Sequence, residues 1–141
     1  ISICALSQLK ALVSDLEYLS TLSKEDLDNV INNFSIGIVI KPKVAASTKT
    51  YEDVLTAIKN KGLTITTPKT GDTYSLGGAN FTILAPNSTS YSDLNDYSVV
   101  IKLTYLNNSF LFAGDAETVS ENEIINKNSS LVIVYFILIN L

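Results

Sequence analysis

The stretch YSVVIKLTYLNNSFLFAG, Tyr97 to Gly114, decides how this chain is read. Val99, Ile101 and Leu103 alternate with Val100, Lys102 and Thr104, the period of a strand with one face buried. Asn107-Asn108 suits a tight turn, because asparagine tolerates positive φ, and SFLFAG then returns the chain. A β-hairpin is the expectation. The stretch stops at Gly114, which lets the backbone turn sharply and present Asp115, Ala116 and Glu117. An aspartate placed there has two uses. It can cap the helix expected over TVSENEIINK, Thr118 to Lys127, which is the commoner use, or it can aim a hard oxygen donor at a divalent metal.

Working upstream, ANFTILAP, TYSLGG and LTITTP all have strand character and are punctuated by glycine and proline, with a turn at Gly71-Asp72. Together they read as a meander. Between them and the hairpin, NSTSYSDLND, Asn87 to Asp96, is a loop by composition. Asp93 and Asp96 in it lack the order of a calcium loop, so they read as solvated turn residues. Further back, TYEDVLTAIKNKG is a helix with Thr50 as its cap, Glu52 and Asp53 at its positive end, Lys59 and Lys61 at its negative end, and Gly62 as its stop. IGIVIKP, Ile36 to Pro42, is a β-branched run closed by proline and reads as a buried strand. SKEDLDNVINNF offers Ser23 as a cap, with Leu27, Val30, Ile31 and Phe34 along one side of a second helix. LKALVSDLEYLS, Leu9 to Ser20, carries an apolar face at helical spacing. At the other end, the apolar run Leu131 to Leu141 is shorter than the roughly 20 residues a spanning helix needs, so it reads as a buried strand or a truncated segment, and no transmembrane helix is expected.

Composition narrows the function classes. With 141 residues and 46% hydrophobic content, one domain with its own core is expected. The net charge is −4, and all 10 basic residues are lysine. That argues against a basic groove and a strong nucleic-acid surface, which draw on clustered positive charge and on arginine. Cys4 is alone, so no internal disulfide forms. There is no histidine, which removes the usual base for a serine nucleophile. The seven tyrosines are scattered among elements and are expected to pack rather than stack on bases. Because the chain starts at Ile1 and has no methionine, it reads as a processed product or a piece of a longer reading frame, the piece being the preferred reading.

Taken in order, FSIGIVIKPKV, TKTYEDVLTAIKNKGLTI and ILAPNSTSYSDLNDYSVVIKLTYLNNSFLFAGDAE resemble the metallo-β-lactamase-like hydrolases of the ComEC type, found in bacterial competence and DNA-uptake proteins. The resemblance runs from about Leu27 to Ile125 and rests on ILAP, NDYSVVIKLTY and FLFAGDAE as an ordered set. It implies an α/β fold, an αββα sandwich of two sheets covered by helices, with two divalent ions, zinc or manganese, at one edge. It makes Asp115 a metal ligand by descent, with Gly114 and Glu117 supporting it.

The histidine parts of the pattern are missing. Where the family has His-x-His-x-Asp-His, this chain reads EYLSTLSKEDL, Glu17 to Leu27, and where a His-His-Gly pair belongs it runs on as LVIVYFILINL. The resemblance thus implies a single, incomplete domain: an atypical helical segment 1–26, a family-like core 27–125 and an apolar tail 126–141. Such loss at both flanks is what truncation or a shifted frame gives. The resulting expectation is a fragment or degenerate copy of a metal-dependent hydrolase, with a vestigial ligand at Asp115, no catalytic residue and no bound cofactor. Localisation is left open; the resemblance is compatible with a bacterial parent that is secreted or membrane-associated. The alternative is a non-enzymatic interaction module derived from that fold, self-associating through the apolar tail.

Overall fold

The computed structural model describes residues 4–6, 27–128 and 135–137. Strands β1 (Cys4–Leu6), β2 (Ile38–Ile40) and β3 (Ile65–Thr66) form one sheet in that order. Strands β4 (Thr73–Leu76), β5 (Ala79–Ala85), β6 (Val100–Tyr105), β7 (Asn108–Phe112) and β8 (Tyr135–Ile137) form a second, also in chain order. Helices α1 (Leu27–Asn33), α2 (Lys49–Asn60) and α3 (Thr118–Lys127) complete the described residues. The class is α/β. The helix expected over Leu9 to Ser20 and the cap expected at Ser23 lie outside the described residues.

Each sheet contains one parallel pair, and each parallel pair is joined through a helix. β2 pairs parallel with β3 across α2, and β7 pairs parallel with β8 across α3. Parallel neighbours cannot be joined by a tight turn, so a helical crossover is the natural connection. β3 therefore corrects the expected meander. Ile65 and Thr66 leave the β4–β5 hairpin alone and pair with Val39 and Ile40 in the other sheet. The apolar tail, in turn, enters the second sheet as β8, in register with Phe110 to Phe112.

Side-chain alternation decides which face each strand turns to which layer. In β2, Val39 packs with Ile31 of α1 and Val54, Ala57 and Ile58 of α2, while Ile38 and Ile40 belong to a cluster with Phe81, Ile83, Val99 and Ile101. The first sheet thus has helices on one face and the second sheet on the other. The alternation read from the hairpin is realised: Val99, Ile101 and Leu103 face the first sheet, and Val100 faces the opposite way. A bulge between Ile83 and Ala85 shifts the register, and both Leu84 and Ala85 then join Val100, Leu111 and Ile124 of α3.

α2 follows from its sequence. Val54, Ala57 and Ile58, at i, i+3 and i+4, are its buried stripe. It ends in a Schellman turn, with Gly62 N donating to Lys59 O at 3.0 Å and Leu63 N to Ile58 O at 3.1 Å; Gly62 takes φ 66°. The start differs from the expectation. Thr48, not Thr50, is the cap, extended at φ −103° and accepting from Tyr51 N at 3.3 Å, while Thr50 lies inside the helix. Lys61 also serves a different helix end. Its ammonium donates to Ile31 O, Phe34 O and, at 3.2 Å, Asn32 O, capping the carboxyl end of α1.

The β6–β7 turn is likewise displaced by one residue. Tyr105 pairs with Asn108, so the loop is Leu106-Asn107, and the positive φ of 52° falls on Leu106 rather than on an asparagine. Leucine is strained there and its side chain is exposed. Leu106→Gly is expected to stabilise the chain by about 1 kcal/mol, the relief of that conformation less glycine's greater unfolded entropy. Thermal unfolding reads the sign, and a lower melting temperature would contradict the turn geometry.

Candidate functional site

The turn after β7 is built as the glycine foretold. Gly114 adopts φ 59°, Ala116 N donates to Ala113 O at 3.3 Å, and α3 starts at Thr118. Asp115 is half-buried at the tip of this turn, and Glu117 is exposed. Glu117 is the residue preceding α3, but its carboxylate does not cap the helix; Oε1 accepts from Asn95 Nδ2 at 2.9 Å instead.

The cap comes from Asp96. Expected as a solvated turn residue, it is only 3% exposed, in a 3-10 turn over Asn95–Tyr97. Asp96 Oδ1 accepts from Ser120 N at 3.1 Å and from Glu117 N at 3.3 Å. Those amides would otherwise be orphaned at a helix start, where the dipole also favours a negative group. The cap that the sequence offered at Asp115 is supplied to the Glu117 and Ser120 amides by a residue earlier in the chain. A local clue exists: glutamate is a poor N-cap, so α3 needed an acceptor from elsewhere. Asp93 does stay exposed, its Oδ1 accepting from Asn95 N at 2.8 Å.

The Ser/Asn-rich loop is internally bonded rather than merely solvated. Tyr91 Oη donates to Glu123 Oε2 at 2.5 Å and accepts from Asn87 N and Ser88 N, both at 2.9 Å. Tyr91 N donates to Tyr97 Oη at 3.0 Å, and the two rings meet edge to face at 5.0 Å. Ser88 Oγ donates to Glu123 Oε1. Burial, with the Glu123 carboxylate beside it, holds the Tyr91 phenol above its ordinary value of 10.0. The phenol is a donor locked on a carboxylate, which suits a loop anchor. With Tyr74 stacked on Phe81, these tyrosines pack on protein rings as expected.

Lys41, at the end of β2, is 8% exposed. Its ammonium donates to Pro42 O at 2.9 Å and Val44 O at 2.8 Å and lies 5.2 Å from the centre of the Tyr51 ring, whose hydroxyl also reaches Val44 O at 3.1 Å. These contacts pin the loop that leaves β2. A cleft of about 440 Å³ opens beside it, bounded by the segments that follow β2, β3 and β5. Lys43, Lys69 and Lys127 line it, with no acidic side chain among its walls. Composition argued against any basic groove, yet lysines far apart in sequence converge here. Gly114, Asp115 and Glu117 are not among its lining residues.

Among the described residues, no group of three or more His, Cys, Asp or Glu side chains converges. Asp96 reaches the end of the Asp115 turn through the Glu117 amide, and one of its oxygens is committed to the Glu117 and Ser120 amides. Among the described residues, no helix is long and apolar enough to cross a membrane. No family model, curated protein or solved structure matches this chain.

Proposed function

We propose that this chain carries the αββα sandwich of the metallo-β-lactamase-like, ComEC-type hydrolases as a degenerate copy, without a working two-metal centre, and that it does not hydrolyse phosphodiesters. The observation that carries the reading is the order of the layers. α1 and α2 pack on the first sheet, the first sheet on the second, and α3 on the far face of the second, with the Gly-Asp-Ala-Glu turn leading from β7 into α3. The chemistry argues for inactivity. A two-metal hydrolase holds each cation with several nitrogen and oxygen donors and generates a hydroxide between them. A chain with no histidine, whose Asp96 serves a helix and whose Glu117 serves Asn95, does not supply that set.

Zinc and manganese titration of the purified chain, with an indicator of known affinity, tests this directly. No stoichiometric binding at submicromolar affinity is expected. Turnover of a chromogenic phosphodiester should match the metal-only blank, and Asp115→Ala should change neither result. Tight stoichiometric binding that Asp115→Ala abolishes would overturn the proposal.

A further inference from the structure

β2 and β3 are parallel neighbours that leave their sheet with the same two residues. Their register sets Val39 against Ile65 and Ile40 against Thr66, and the ladder continues with Lys41 N donating to Thr66 O at 3.0 Å. Past the pairing, both segments continue with a Pro-Lys pair, Pro42-Lys43 after β2 and Pro68-Lys69 after β3, and all four residues line one cleft. Two exposed ammonium-bearing side chains, from the segments that follow two paired strands, thus stand at the same cleft. Lys127, at the end of α3, joins them in its lining.

Lys43, Lys69 and Lys127 are exposed and have no ion-pair partner among the described residues, so their ammonium groups are available to a ligand. The walls are held in place. All 3 prolines of the chain, Pro42, Pro68 and Pro86, line the cleft. Lys41 clamps the loop after β2, Thr70 Oγ1 donates to Pro86 O at 2.9 Å across the gap, and Tyr91 gathers the amides of Asn87 and Ser88. Walls fixed before binding spare the ligand the entropy of ordering them. The hydroxyls of Thr67, Ser88 and Thr89 add neutral polar groups to the same lining.

We propose that this cleft binds a small, multiply charged, phosphate-bearing molecule, its anionic oxygens held between Lys43, Lys69 and Lys127. A phosphate's dispersed charge suits several ammonium point charges on flexible stems, and a cleft of about 440 Å³ falls within the range that holds nucleotide-sized ligands. The site is separate from the Asp115 turn and needs no metal, so it stands whether or not the proposed loss of hydrolysis is correct.

Titration calorimetry of the full chain with inorganic pyrophosphate, at low and at physiological salt, is the test. One site is expected, weakened about tenfold or more in the double variant K43Q/K69Q and in K127Q, since each removed charge contact is worth about a decade in affinity. Lys59→Gln, an exposed lysine of α2 outside the cleft, should bind as the parent does. K43Q/K69Q should also melt no lower than the parent, because among the described residues neither exposed ammonium is held by an ion pair; a merely structural role would lower it. Absence of pyrophosphate binding would overturn the proposal, as would equal weakening in Lys59→Gln, or binding of an oligonucleotide with none of pyrophosphate.

Discussion

Phe81→Ala is expected to destabilise the chain by about 3–5 kcal/mol, the range for emptying a large buried aromatic site. Phe81 is 2% exposed in the middle of β5. It belongs to the two sheets' shared cluster, which contains Ile40 from β2, Ile83 from β5, Ile101 from β6 and Val99 just before β6. Its ring also stacks on Tyr74, with centroids 5.0 Å apart and planes 16° from parallel. Removing it loses apolar burial and the stacked pair, and leaves a void that neighbours anchored in two different sheets cannot collapse to fill. Phe81→Leu keeps most of the volume and should cost about 1–2 kcal/mol. Thr82→Ala, one residue on and facing the other way, loses only an exposed 3.0 Å contact with Thr73 and should change stability by less than about 0.5 kcal/mol. Urea unfolding of the three variants measures the contrast. Similar costs at positions 81 and 82 would mean that β5 does not present Phe81 to the opposing sheet.

Asp96→Ala is expected to cost about 3 kcal/mol, although it removes only a small polar side chain. Its Oδ1 is the acceptor for the Ser120 and Glu117 amides, and truncation leaves two donors at the start of α3 without a partner in a buried setting. The favourable field at the helix terminus is lost as well. Asp96→Asn keeps an acceptor oxygen and gives up the charge, so about 1 kcal/mol is expected. Asp93→Ala, which opens one exposed 2.8 Å turn contact, should cost less than about 1 kcal/mol. Denaturant unfolding measures these costs, and amide exchange at Ser120 localises the effect. A metal-ligand role for Asp96 makes a different prediction: the cost would then vanish in the presence of a chelator. A loss unchanged by chelator, with faster exchange at Ser120, is the expected result.

These two positions mark how far the sequence could be read. Phe81 sits in a run with evident strand character, and its burial follows from that run. Asp96 sits in a stretch of serines, asparagines and aspartates whose composition reads as solvated loop, and nothing nearby in the chain announces that its carboxylate is enclosed. For the Gly114–Glu117 turn, the sharp bend at Gly114 was legible because a positive φ is a local demand on one residue. Which acid would serve α3 was not, since the competing carboxylates differ in where the fold brings them and not in their chemistry.

By itself, the sequence determined what depends on residues a few positions apart: the stripe and Schellman stop of α2, the alternating faces of the β6–β7 hairpin, the bend at Gly114, and the lack of any histidine to hold a metal. Only the tertiary structure decided which sheet β3 joins, which acid caps α3, and that Lys43, Lys69 and Lys127 share a cleft in a chain of net charge −4. The reason is physical. Dihedral preference and amphipathic period act within one element, whereas strand partner, helix cap and local field are set by groups that meet only after the layers have packed, and a net charge sums over the surface what the fold distributes unevenly across it.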